Sequence, residues 1–318
     1  MKIALAQRDI GEIESPPMDG PTHVDFHVHQ QYRYEYLAPI HDLRQRLVMI
    51  PPAVHGAQRL LKADLRVEGA DDAHTQTRTD RFGNVVYHIT SPTVREAVAF
   101  TAEFTVQRRV SAEPFRVGGP DTVLYGTPTA LTAPCARISG AARAISAELA
   151  ATPVANLQPE AQFAGPGELD DDGVRQWAAA RRGCRWAAHA LTYRFGITGV
   201  QTPASLALHL GRGVCQDFAH LAIAILRELH VPVRYVSGHL LGEGAPHAWI
   251  EALLPDPETP GQFRVVPYDP THRTVPGLDY VVVAVGRDYG DIAPTSGTFH
   301  GVTGRFTASK HAWIEEHA

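Results

Sequence analysis

Gly211-Arg212-Gly213-Val214-Cys215-Gln216-Asp217-Phe218-Ala219-His220 decides the reading of this chain. Two glycines punctuate the backbone just before Cys215. Beyond it, apolar residues recur at Phe218, Leu221, Ala222, Ile225, Leu226 and Leu229, the spacing of one buried helical face. Val231-Pro232 closes the helix, because proline disfavours helical geometry in the residue before it. Cys215 is therefore expected on the first helical turn. There the opening N–H groups lack intrahelical acceptors and the helix dipole is positive. Such a setting favours the thiolate, the nucleophilic form of cysteine.

A thiolate becomes a catalyst when an imidazole can take and return its proton. His247 opens the run His247-Ala248-Trp249-Ile250-Glu251, whose β-branched and aromatic content suits a strand. On a strand, His247, Trp249 and Glu251 share one face. Asp269 follows a second expected strand, 262–266, and precedes Pro270 and Thr271. An aspartate at a strand end can hold the far imidazole nitrogen and fix its tautomer. The chain order is nucleophile, base, orienter.

With these motifs the chain resembles the bacterial transglutaminase-like family, assigned as cysteine proteases with a papain-like core. The resemblance rests on Gly-Val-Cys-Gln-Asp-Phe-Ala-His, on Val231 to Gly238, on His-Ala-Trp at 247–249 and on Asp-Pro-Thr at 269–271. The run Val283 to Pro294 adds to it. Weaker echoes of the family's N-terminal β domain are Tyr32-Arg33-Tyr34 and Asp80-Arg81-Phe82-Gly83-Asn84. The resemblance implies Cys215 as nucleophile, His247 as base and Asp269 as orienter. The expected substrate is a peptide or protein amide.

Cys215 would attack the amide carbonyl, with its own N–H as one oxyanion donor. Tyr193, Gln216 and Trp249 are candidates for the rest of the oxyanion site or the substrate cleft. Arg287, Asp288 and Tyr289 either line that cleft or brace the loop after the last core strand. Water as second substrate gives hydrolysis, and a primary-amine acceptor gives transamidation; one triad serves both. Hydrolysis is the family-level expectation. The run His311-Ala312-Trp313-Ile314-Glu315 repeats 247–251, but no aspartate follows it and its polar flanks suit an exposed terminal segment.

Two readings from other classes stand beside this one. His23, Asp25, His27 and His29 alternate on one strand face and could hold a metal, although no further ligand set has convincing spacing. Alternatively, the chain is a non-catalytic scaffold whose β domain binds a partner. Three cysteines without zinc spacing support neither a disulfide framework nor a metal knuckle, and no nucleotide loop or other cofactor signature appears. Cys135 and Cys184 lack the context of Cys215 and read as structural.

With 44% hydrophobic and 20% charged residues among 318, the chain is a globular protein long enough for two domains. A net charge of −5 argues against a nucleic-acid surface. No stretch has the 18 apolar residues of a membrane span. No signal peptide is visible, and the cytoplasm is the expected compartment.

The fold class expected is α+β: a cysteine helix on an antiparallel sheet, preceded by a β-sandwich-like domain. Expected boundaries are 1–112 for the β domain, 113–168 for a helical and irregular connection, and 169–318 for the catalytic core. Expected strands are 24–29, 32–37, 44–50, 63–68, 85–89 and 97–108 in the first part. In the core they are 231–237, 247–253, 262–266 and 280–285. Helices are expected over 138–150 and from the acidic Asp170-Asp171-Asp172 to about Tyr193.

Overall fold

A computed structural model describes residues 22–111, 113–118, 120–157, 170–256 and 258–317. The first strands are β1 (His23–Glu35), β2 (Ile40–Leu47), β3 (Val54–His55), β4 (Gln58–Glu68), β5 (His74–Thr79), β6 (Val85–Val94) and β7 (Ala97–Arg109). The middle contributes β8 (Arg116–Gly118), α1 (Pro120–Gly126), α2 (Ala136–Ala151), α3 (Asp171–Ala190), β9 (Thr192–Tyr193), α4 (Ala204–Leu210) and β10 (Arg212–Gly213). The remainder is α5 (Cys215–Glu228), β11 (Val233–Leu240), β12 (His247–Pro255), β13 (Gln262–Tyr268), β14 (Tyr280–Gly286), α6 (Tyr289–Ile292), β15 (Thr295–His300) and β16 (Arg305–His317).

Two sheets, in the orders β16-β1-β7-β4-β3 and β15-β2-β6-β5, form a sandwich. Its core holds Phe26, Val28, Leu43, Leu47, Ile89 and Phe100. Strict alternation runs unbroken from Val24 to Tyr32, so the two strands expected at 24–29 and 32–37 are one. Gln30 sits on the buried face and donates to the Tyr32 hydroxyl at 2.7 Å, which removes the reason for a break there.

The last two strands depart from expectation. The expected boundaries put residues 295–317 in the core segment, and the polar flanks of His311–Glu315 suit an exposed terminal segment. Instead β15 pairs with β2, and β16 pairs with β1 along its whole length, from His23 opposite His317 to Glu35 opposite Arg305. Ala312 and Ile314 pack toward the sandwich core, and Trp313 stacks on His27 across the strand pair at 5.1 Å. The cause is a partner almost three hundred residues away, which no local pattern encodes.

The fold is α+β, and the core sheet runs β14-β11-β12-β13-β8. Helix α5 lies on β11 and β12, with α2, α3 and α4 packed around it. Its apolar spacing predicts one buried face. In fact Ala219, Leu221, Ala222, Ile223, Ala224, Ile225 and Leu226 are all inaccessible. From Leu221 to Leu226 every residue is apolar, so no side of the helix there is left for solvent, and the alanines leave room for neighbours on every side.

Edge strand β14 would expose unpaired backbone. Side-chain amides of the sandwich cover it. Gln58 donates to the Val282 carbonyl (2.7 Å) and accepts from its N–H (2.8 Å). Asn84 does the same for Val285 at 2.8 Å each way. Glu251, buried on β12, pairs with Arg234 (2.6 Å) and with His55 of β3 (2.9 Å). Sandwich and core are therefore joined by buried polar contacts. No helix among the described residues is long and apolar enough to cross a membrane.

Candidate active site

Cys215 is the first residue of α5 and is half-buried. Glycines deliver it there. Gly211 ends α4 in the left-handed region (φ 64°), which glycine adopts without steric cost. At Gly213 a Cβ would lie 2.6 Å from both Cβ and Oδ2 of Asp217. The bare glycine lets Asp217 fold back to accept from the Val214 N–H (2.8 Å) and the Thr198 hydroxyl (2.6 Å). This closes the first turn and ties the 196–202 loop beside the cysteine.

His247 begins β12 and Asp269 follows β13; both are essentially inaccessible. His247 Nε2 donates to Asp269 Oδ2 at 2.7 Å. With Nε2 so engaged, Nδ1 is the nitrogen left for a thiol, and Cys215 is close enough to act on the ring's protonation. Asp269 is itself over-determined. Its Oδ2 also accepts from the Tyr280 hydroxyl and from His272 Nδ1, each at 2.8 Å. Its Oδ1 accepts from the N–H groups of Thr271 (2.8 Å) and His272 (3.3 Å).

The electrostatics follow. Burial opposes the charge on His247, but the hydrogen bond to Asp269 and the nearby Cys215 and Glu243 prevail and push its pKa up to about 12. Burial likewise opposes the Asp269 carboxylate. The two histidines outweigh it and hold the group well below the usual range. Burial pushes the Tyr280 phenol far up, and the adjacent Asp269 charge adds to this, so Tyr280 is a donor only.

The other candidates divide. Tyr193 lies at the site. It is 44% exposed on β9, which pairs with β10 just before the cysteine, and its phenol is raised by burial and then by Cys215 and Glu243. Gln216 is turned away: Nε2 donates to the carbonyls of Gly199 (3.4 Å) and Val200 (3.2 Å), bracing the loop. Trp249 is 1% exposed and lies under the imidazole, ring centroids 6.1 Å apart, inside an apolar cluster with Val236 and Val282. It forms a floor for His247 and does not line the cleft.

Arg287, Asp288 and Tyr289 brace the post-β14 loop. Arg287 pairs with Asp291 at 2.8 Å, and Asp288 caps α6 through the Gly290 N–H at 2.7 Å. The Tyr289 N–H donates to His220 Nε2 at 3.1 Å. Burial pushes His220 down to about 4, against the pull of Asp288, so it is a neutral acceptor near pH 7. The motif's histidine thus holds the loop. Cys184 is buried in the core, where burial raises its thiol pKa.

Two residues at the site escape sequence reasoning. Glu243, on the β11–β12 hairpin, places Oε2 3.1 Å from His247 Nδ1. Burial works against its charge, but His247 and His272 lower its pKa on balance. His272 shares Asp269 with His247. Its placement had one signal, three positions after an aspartate in a tight turn; Glu243 had none. The alternating histidines of β1 do not converge. Among the described residues, the group with metal-ligand spacing is Glu243, His247 and His272.

Comparison with known proteins agrees with this architecture. Residues 168–270 match the transglutaminase-like superfamily core, and residues 26–107 match the bacterial transglutaminase-like N-terminal region. An uncharacterized protein of Mycobacterium leprae is 45% identical over 127 residues, 37% of this chain, and the match spans 43% of that protein's length. An uncharacterized protein of Mycobacterium tuberculosis is 30% identical over 290 residues, covering 86% of this chain and 83% of the relative. The crystal structure of a candidate cysteine protease from Cytophaga hutchinsonii has the same fold. Its TM-score is 0.63 at 18% identity, over 92% of this chain and 91% of that one. With both regions matched and the relationship extending over most of its length, the chain belongs to the transglutaminase-like superfamily.

Proposed function

We propose that the chain is a thiol-dependent amide-bond hydrolase acting on peptide or isopeptide bonds. The observation that carries this reading is half-buried Cys215 at the start of α5 beside a His247 whose far nitrogen is fixed by an Asp269 held by five donors. The aspartate fixes the ring with Nε2 protonated, which leaves Nδ1 as the nitrogen available to the thiol.

In the first half-reaction Sγ attacks the amide carbonyl carbon and a C–S bond forms. The oxyanion rests on the Cys215 N–H at the helix start, with the Tyr193 hydroxyl as the second donor. His247 Nδ1–H protonates the leaving nitrogen, the C–N bond breaks, and a thioester remains. In the second half-reaction Nδ1 accepts a proton from water as the water oxygen attacks the thioester. The C–S bond then breaks, the acid leaves, and the thiolate of Cys215 is restored beside a His247 that holds the proton taken from water.

The test is to incubate the purified chain with a peptide-amide library and follow released amines, with and without an added primary amine. Peptide products that disappear in Cys215→Ala establish hydrolysis. Products carrying the added amine in place of water would establish acyl transfer instead. Full biological activity in Cys215→Ala would leave only a scaffold role.

A further inference from the structure

Asp269 Oδ2 holds the rear nitrogens of two imidazoles, His247 Nε2 at 2.7 Å and His272 Nδ1 at 2.8 Å. The forward nitrogens then converge on one carboxylate. His247 Nδ1 is 3.1 Å from Glu243 Oε2, and His272 Nε2 is 3.6 Å from Glu243 Oε1. The three donor atoms lie within 4.8 Å of one another. A triad needs only one imidazole on its aspartate, and an ion pair to Glu243 needs only one histidine. Neither accounts for the second ring set on the same oxygen and facing the same carboxylate.

Metal-bound histidines donate their other ring N–H to a carboxylate, which fixes tautomer and direction. Here that outer support is in place for both rings. Tetrahedral zinc, with metal–ligand bonds of about 2.0–2.2 Å, puts its ligand atoms about 3.4 Å apart. The two observed nitrogen–oxygen separations, each to a different oxygen of the Glu243 carboxylate, lie close to that edge. Two carboxylates and two neutral imidazoles would enclose a dication at zero net charge. The side chains of Glu243 and His272 are each about one-third exposed, giving an ion a path from solvent.

We infer that Glu243, His247 and His272 form an inhibitory site for a divalent cation of the zinc type, whose occupancy takes His247 Nδ1 away from Cys215. The word inhibitory rests on the enzyme reading above; the binding site does not. Imidazole and carboxylate donors suit zinc over calcium or magnesium, which take oxygen ligands. The fourth position is left to water or to the neighbouring thiol.

The test uses the full chain and Zn²⁺ alone, in a reductant that does not chelate. Binding is read by competition with a chromogenic chelator, and the ligand set by X-ray absorption at the zinc edge. The expected result is one zinc per chain with two imidazole ligands. Glu243→Gln and His272→Asn should each weaken binding at least about tenfold, while Cys135→Ser leaves it unchanged. Glu243→Gln alters a partly exposed hairpin residue and so keeps the test valid if His272→Asn fails to fold. Zinc should also slow alkylation of Cys215 in the unaltered chain. No binding, a zinc edge without imidazole, unchanged affinity in Glu243→Gln, or undiminished alkylation of the zinc-loaded chain would each overturn the inference. Inactivity of the metal-free chain toward amides bears on the enzyme reading alone.

Discussion

Asp269→Asn is the most informative single change, because the structure dictates which way the new amide must face. Oδ1 receives two backbone N–H groups, so the amide oxygen belongs there. The amide nitrogen then occupies the Oδ2 position, where it meets His247 Nε2, His272 Nδ1 and the Tyr280 hydroxyl, all donors to the native carboxylate. His247 must move its proton to Nδ1, the tautomer that cannot take a proton from Cys215. Breaking a buried charge pair by removing one partner costs about 3–5 kcal/mol. With an unfolding entropy of roughly 2.1 cal/mol/K per residue, a chain this long loses about 1.5 °C per kcal/mol, or about 4–8 °C in all. The pH dependence has a defined sign. The raised His247 pKa contributes stability fully below about 6.5, and loses it as pH rises toward about 12. The depressed Asp269 pKa contributes above about 3.8, and loses it as pH falls below that. The gap between native and variant melting temperatures should therefore be widest between about pH 4 and 6.5. Amide turnover should fall by about 10⁴, the scale of a wrong-tautomer defect in such triads. Differential scanning fluorimetry across pH, with turnover beside it, decides the matter. A variant melting within 1 °C of native at pH 6, a change of only about 0.7 kcal/mol, would refute the reasoning.

Other expectations follow from single contacts. Cys215→Ala should abolish amide turnover while shifting the melting temperature by no more than about 2 °C, since the thiol is half-buried and its removal leaves little cavity; circular dichroism melts and the amine-release assay check both. Gly213→Ala forces a methyl to within 2.6 Å of Asp217, and should cost about 1–3 kcal/mol in urea unfolding. The same change should lower the rate of Cys215 alkylation by disturbing the first turn of α5. Glu251→Gln leaves Arg234 buried without its counter-charge and should cost about 3–5 kcal/mol. Burial opposes the Glu251 carboxylate, yet Arg234 and His55 lower its pKa to about 2. Its contribution is thus present above about pH 4.5 and fades as pH falls toward 2, so native and Glu251→Gln stabilities should converge in strong acid.

The parts of the site that local sequence could disclose are those built on local geometry. A Gly-x-Gly turn before an apolar helix puts Cys215 on a helix start wherever the helix goes. A strand beginning at His247 and another ending before Asp269 need only be neighbours for the ring and carboxylate to meet. Glu243 was illegible because its contact depends on how the hairpin between β11 and β12 bends back over the ring. Trp249 shares a strand face with His247, as period two requires, but which side of the sheet becomes floor and which becomes cleft is a tertiary matter. Asn84 and Gln58 read as ordinary turn and strand residues; their pairing with the β14 backbone exists only once sandwich and core have met. The run at 311–315 misled for the same reason: its polar flanks fit a tail until β1 supplies a strand beside it.

That last pairing has a consequence for synthesis on the ribosome. Strand β1 is made first and gains β7 within the next hundred residues, but its other edge waits for β16. At about 5–20 residues per second, the wait is roughly 15–60 s. Throughout it, a thirteen-residue strand carries a free row of N–H and C=O groups, the template on which nascent chains aggregate. The alternating histidines along that strand, His23, His27 and His29, face away from the sandwich core and keep the waiting edge polar. Expression yield should therefore depend on how fast β16 arrives, and a chain truncated before Arg305 should accumulate as aggregate even though every residue flanking Cys215 is present.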